Sequence, residues 1–128
     1  MARLGRVTQS ETSSPSSLYC PQAGDLIWID FDPQAGREQA GRRPALVLSP
    51  RRYNQLVRLC VLCPISNQGK GYPFEITLAD GGQVTGVVLA DQVKSLSWHD
   101  RNAELICAAP AGIAAHARAK IKALLSIP

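Results

Sequence analysis

At 128 residues, with 14 Lys and Arg against 10 Asp and Glu, the chain has the size of one domain, a formal charge of +4 and a pI near 9.1. That mild basicity suits an anionic partner without demanding one. No apolar run reaches the roughly 20 residues of a membrane helix, and the opening MARLGRVTQSETSSPSSLYCPQ lacks the apolar centre of a secretory signal, so a cytoplasmic protein with no membrane partner is expected.

Residues 1–22 are rich in Ser, Thr, Pro and Gln and read as a flexible tail ahead of one domain over 23–128. A series of short β-like runs follows. DLIWIDF (25–31) is the first, and PALVLSP (44–50) the second, fenced by Pro44 and Pro50. RLCVLCPI (58–65) is the third. In PFEITLA (73–79), Phe74, Ile76 and Leu78 alternate with Glu75 and Thr77, as in a strand wet on one face. GQVTGVVLA (82–90), QVKSLSW (92–98) and AELICAA (103–109) complete the set. The period then changes: Ile113, Ala117, Ile121, Leu124 and Leu125 recur at helical spacing, with Pro110 suited to the first turn. Many short strands with Gly and Pro turns, closed by one amphipathic helix, predict a mainly β fold, a small barrel or sandwich.

Cys60 and Cys63 form a CxxC, yet positions three apart on a strand point to opposite faces and cannot bite one metal. Buried thiols in a reducing compartment are expected instead, and no metal site. The motifs of serine hydrolases, zincins and dinucleotide binders are missing, so no cofactor is expected. His99 and His116 read as surface residues.

The connection DFDPQAGREQAGRRPALVLSP concentrates Arg37, Glu38, Arg42 and Arg43 between two apolar runs. Arginine carries a rigid fork of donors that matches phosphate. At the mouth of a buried strand, Arg43 is anchored by its backbone and can be aimed, as stabilisation of transition-state charge requires. Glu38 is placed to orient that arginine or to accept a proton. In CPISNQGKGYPFE, Ser66 and Lys70 follow a strand end, where hydroxyl and ammonium groups can meet a phosphate. Phe31 closes the first strand beside the charged loop, and an exposed ring there would stack on a base.

Taken together, GDLIWIDFDP, EQAGRRPALVLSP, KGYPFE and GVVLADQVKS resemble the MazF/PemK family of toxin endoribonucleases, from about Gly24 to Ile127. The resemblance implies a PemK-like, SH3-like barrel that forms a homodimer. It implies metal-independent, sequence-specific cleavage of single-stranded RNA, chiefly mRNA. The ribose 2′-hydroxyl would attack, leaving a 2′,3′-cyclic phosphate and a 5′-hydroxyl. Arg43 matches the family's active-site arginine, and Ser66 its active-site hydroxyl, usually threonine. Glu38 matches the acidic loop residue, and Phe31 and Lys70 match positions that line the RNA groove; Arg37 and Arg42 would draw in the RNA backbone beside Arg43. A cognate antitoxin with an acidic, disordered segment would cover that groove. Two other readings stay open: a non-catalytic RNA- or protein-binding SH3-like barrel, and a gyrase-directed toxin of the CcdB kind.

Overall fold

The computed structural model describes residues 19–31 and 41–128. The first predicted run forms strand β1 (Asp25–Phe31). It pairs antiparallel with β2 (Gly41–Val47) in a register that sets Phe31 opposite Gly41 and Leu26 opposite Leu46. β2 therefore begins three residues before Pro44 and ends before the predicted Pro50, because β1 extends the ladder backward past the proline. After it comes a helix absent from the expected elements, α1 (Arg51–Val57). At seven residues it is too short for a periodic apolar stripe. Its stability is tertiary: Asn54 is fully buried, and its amide nitrogen donates to the carbonyls of Pro21 (2.9 Å) and Ser49 (3.0 Å). Ser49 donates its hydroxyl back to Asn54 Oδ1 at 2.6 Å.

β3 (Leu59–Ser66) is the central strand. One edge pairs with β2. The other pairs first with β6 (Lys94–Ser97), through Leu59–Leu62, and then with β5 (Gly86–Leu89), through Ile65 and Ser66. Pro64 has no N–H to give, and it falls in the gap between those two ladders. β4 (Glu75–Leu78) pairs with β5, and β7 (Glu104–Ala108) with β1, completing a seven-stranded antiparallel sheet. A single turn of 3-10 helix, Ala90–Gln92, links β5 to β6. The sheet curls into a half-barrel, and α2 (Ile113–Leu124) closes the chain.

Both faces of the central strands are buried. Leu26, Leu46, Cys63, Ile65 and Val88 form one cluster, against which Ile113 and Ile121 of α2 pack and within which Ala117 lies. Leu124 and Leu125 remain exposed, and Gly112, not Pro110, stands at the cap of α2. The alternate residues Ile27, Ile29, Phe31, Ala45, Val47, Cys60 and Leu62 form a second cluster with Trp98. Tyr19 and Cys20 pack on this second cluster, and the Tyr19 hydroxyl donates to the Asp25 carboxylate. Cys60 and Cys63 fall in different clusters, as the strand spacing requires. Burial pushes both thiols up to about 12. No helix among the described residues is long and apolar enough to cross a membrane.

Candidate active site

Arg43 lies in β2 opposite Ile29 of β1 and is half-buried. Side chains alternate along a strand, so Arg43 shares a face with Ala45 and Val47. Ala45 pairs with Pro64 of β3. That is the last pair of the two strands at this end; Arg43 and Ser66 each lie two residues beyond it, and by alternation their side chains take the same face as Ala45. The two residues that the sequence singled out for chemistry thus stand on one face of neighbouring strands, each two residues beyond the last β2–β3 pair.

Ser66 is buried, 7% exposed. Its Oγ accepts the Gln68 N–H at 3.0 Å. That bond uses a lone pair and leaves the hydroxyl proton to donate. β5 approaches the carbonyl of Ser66 so closely that only glycine fits at position 86: an added Cβ would stand 2.3 Å from Ser66 O, and the backbone there has φ +109°.

Ser66 and Lys70 line a cavity of about 550 Å³ together with Gln68, Tyr72, Glu75 and Lys94. Arg43 is not among its lining residues. The loop that carries Lys70 is held from beneath by Glu75, whose carboxylate accepts the backbone N–H groups of Lys70 and Gly71, each at 3.0 Å. Gly69 passes over Val87, where a Cβ would stand 3.0 Å from a methyl group. The fold of the loop therefore aims Lys70 without fixing its ammonium.

Two expected RNA ligands sit differently. Phe31 is 4% exposed, because β1 turns its odd-numbered side chains into the second cluster. The ammonium of Lys94 lies 5.8 Å above its ring. The expected exposed stacking platform is thus a piece of core behind the cavity wall. Arg42, one residue from Arg43, projects to the opposite face. It donates to Asp30 Oδ1 (2.9 Å), to the Asn102 carbonyl (2.9 Å) and to the Glu104 carboxylate. Asn102, and then Arg42, hold the Asp30 carboxyl below its ordinary value. Arg37 and Glu38 lie outside the described residues.

Neither histidine lines the cavity. His99 is exposed and faces Asp100 at 3.4 Å, and His116 is exposed on α2. The described residues contain no cluster of His, Cys, Asp and Glu able to hold a metal ion. Glu75 and Lys94 were not singled out from the sequence. Their signal was there: both stand inside the motifs KGYPFE and GVVLADQVKS, and strand alternation turns them toward one cavity.

Residues 22–125 match the family described as PemK-like, MazF-like toxin of type II toxin-antitoxin system. Among individual proteins, the endoribonuclease toxin MazF of Escherichia coli K12 is 56% identical over 87 residues, 68% of this chain and 78% of that protein. The endoribonuclease toxin ChpB of the same strain is 36% identical over 109 residues, 81% of this chain and 93% of its own. The crystal structure of MazF from Deinococcus radiodurans superposes with a TM-score of 0.81 at 52% identity, covering 85% of this chain and 99% of that one. A MazE-MazF complex from the same organism gives 0.78, also at 52% identity, covering 86% and 99%. With the half-barrel, the terminal helix and four-fifths of its length matched, the chain belongs to the PemK-like, MazF-like toxins of type II toxin-antitoxin systems.

Proposed function

We propose that this toxin is a sequence-specific endoribonuclease that cuts single-stranded RNA, mRNA above all, to a 2′,3′-cyclic phosphate and a 5′-hydroxyl without a metal. The reading is supported by one feature: strand alternation turns Arg43 and Ser66 to the same face, each two residues past the last β2–β3 pair. The names of its relatives, endoribonuclease toxins, support the reaction class.

The chemistry follows from what those groups offer. The 2′-oxygen attacks the adjacent phosphorus and forms a phosphorane with an added negative charge. The Arg43 guanidinium takes the non-bridging oxygens in its fork. The Ser66 hydroxyl, oriented by the Gln68 N–H, donates to the same centre. These two donors neutralise the charge that a divalent ion would otherwise carry. The proton of the 2′-hydroxyl goes to the Glu38 carboxylate, and the departing 5′-oxygen takes a proton from solvent water to become the 5′-hydroxyl. Arginine is a poor base, since its pKa lies above about 12. Glu75 is occupied by backbone N–H groups. Lys70, on the cavity rim, and Arg37 draw in the RNA backbone.

The toxin acts as a homodimer in the cytoplasm, and a cognate antitoxin holds it inactive by laying an acidic, disordered segment over this basic groove. The MazE-MazF complexes of its Deinococcus relatives support such a partner. Apolar side chains left exposed at the end of α2, Leu124, Leu125 and Ile127, suit a self-association surface.

The test is incubation of the purified protein with a long RNA in excess EDTA. Defined fragments ending in cyclic phosphate are expected, and sequencing their 5′-hydroxyl partners reads out the target motif. Arg43→Ala, folded by circular dichroism, is expected to lose about 3–4 kcal/mol of transition-state stabilisation, a few hundredfold in rate. Intact RNA with the wild type would leave a binding barrel instead. Wild-type rates from Arg43→Ala would remove the assigned role of that residue.

A further inference from the structure

β1 and β2 run on beyond their outer neighbours. β7 pairs with β1 only through Asp25–Trp28, and β3 pairs with β2 only through Ala45–Val47. Among the described residues, Ile29–Phe31 and Gly41–Arg43 are left as a two-stranded ribbon, with ladder partners in each other. A ribbon of that kind is marginal in water without further support. It is also the segment that carries Arg43, and a reacting group held on a loose ribbon loses the aim on which its contribution depends.

Part of the support is the packing of Ile29 and Phe31 into the second cluster, on the face that Arg43 shares; the opposite face supplies the rest. Arg42 and Asp30 stand directly across the ribbon from each other. Arg42 binds the Asp30 carboxylate with one guanidinium nitrogen and, with the other, the Asn102 carbonyl and the Glu104 carboxylate. The Asn102 amide donates to the second oxygen of Asp30 at 2.8 Å. The backbone adds its own ties: the Asp30 N–H donates to the Arg101 carbonyl at 3.0 Å, and Arg101 donates to the Asp30 carbonyl at 3.3 Å. Asn102 itself sits at φ +56°, the left-handed region that asparagine tolerates better than most residues, at the end of the turn that leads into β7. A lone exposed ion pair contributes little. Here a planar fork is filled by two carboxylates and a carbonyl from three directions, which fixes orientation as well as charge.

We infer that Arg42 is a positioning residue: with Asp30, Asn102 and Glu104 it braces the β1–β2 ribbon against the 101–104 turn, and so aims Arg43. The inference rests on the endoribonuclease reading and replaces a role for Arg42 in gripping the RNA backbone.

The two roles predict opposite results for Asp30→Asn. If Arg42 gripped phosphate, neutralising its carboxylate partner would release it to the RNA and lower KM. If Arg42 is a brace, Asp30→Asn and Arg42→Ala each lower kcat about tenfold per folded molecule, with KM within about twofold of wild type, because aim is lost while the groove is kept. The double variant then resembles either single one, since both break one network. The salt dependence of RNA binding stays the same in Arg42→Ala, where loss of a phosphate contact would flatten its slope by about one. A raised KM with a flatter salt slope, or an unchanged kcat, overturns the brace. Hydrogen exchange in Ile29–Phe31 and Gly41–Arg43 gives a readout independent of cleavage. It should speed up in Asp30→Asn, and unchanged exchange overturns the brace even where wild-type protein leaves RNA intact and the enzymatic reading itself has failed.

Discussion

Replacing Gly86 with alanine forces a choice between two strands. The new methyl would stand 2.3 Å from the Ser66 carbonyl oxygen and 3.0 Å from its carbon, and both are backbone atoms that cannot swing away. Restoring an ordinary contact requires β5 and β3 to separate by about 1 Å. The φ of +109° adds strain of about 1–3 kcal/mol for a residue with a Cβ. Overpacking adds about 1–3 kcal/mol, and the smaller entropy of the unfolded alanine chain returns about 0.4–1 kcal/mol. The expected net loss is about 1–5.5 kcal/mol, a large share of the roughly 5–15 kcal/mol that holds a domain together. The catalytic effect is separate. A shift of about 1 Å at a reacting group can cost about a hundredfold in rate. Urea denaturation gives the first quantity, and RNA cleavage per folded molecule gives the second. Gly81→Ala is the control: its φ of +92° imposes similar strain, but a Cβ there meets nothing within 4 Å. It should lose stability and keep its cleavage rate. If both variants cleaved alike, Gly86 would have no part in placing Ser66.

Two further outcomes concern the core. Asn54→Ala removes three buried side-chain hydrogen bonds and strands the Pro21 and Ser49 carbonyls; a loss of about 3–5 kcal/mol in urea melts is expected, and a loss below about 1 kcal/mol would mean water replaces the amide. Burial raises the Cys60 and Cys63 thiols from 9.0 to about 12, so the folded state favours their neutral form. That contribution is fully present below about pH 9 and fades as pH rises toward 12. Thiol reagents at pH 8 should therefore modify Cys20 and Cys107, which are partly exposed, and reach Cys60 and Cys63 only on unfolding; rapid native labelling of all four would contradict this.

The order of strands and the terminal helix were legible in the sequence, because each rests on local rules. Alternation of Phe74, Ile76 and Leu78 marks a strand whatever lies around it. An arginine before proline at a strand mouth marks an aimed charge. The CxxC resolved itself on strand spacing alone, and the two thiols do sit in different clusters.

What the sequence could not supply was decided by contacts between distant segments. α1 is fixed by Asn54 reaching back to Pro21, 33 residues away, and no periodic signal in seven residues announces that. β2 starts at Gly41 because β1 is long enough to pair with it, not because of its own composition. Phe31 looks like a strand-end aromatic in one dimension; the second cluster claims it in three. Arg42 and Arg43 are alike in sequence and opposite in role, since neighbouring side chains on a strand face opposite ways. One meets the carboxylates of Asp30 and Glu104, the latter 62 residues on, and the other turns to the face of Ala45 and Val47. Local chemistry chose the residue types; the pairing of β1, β2, β3 and β7 chose which of them face one another.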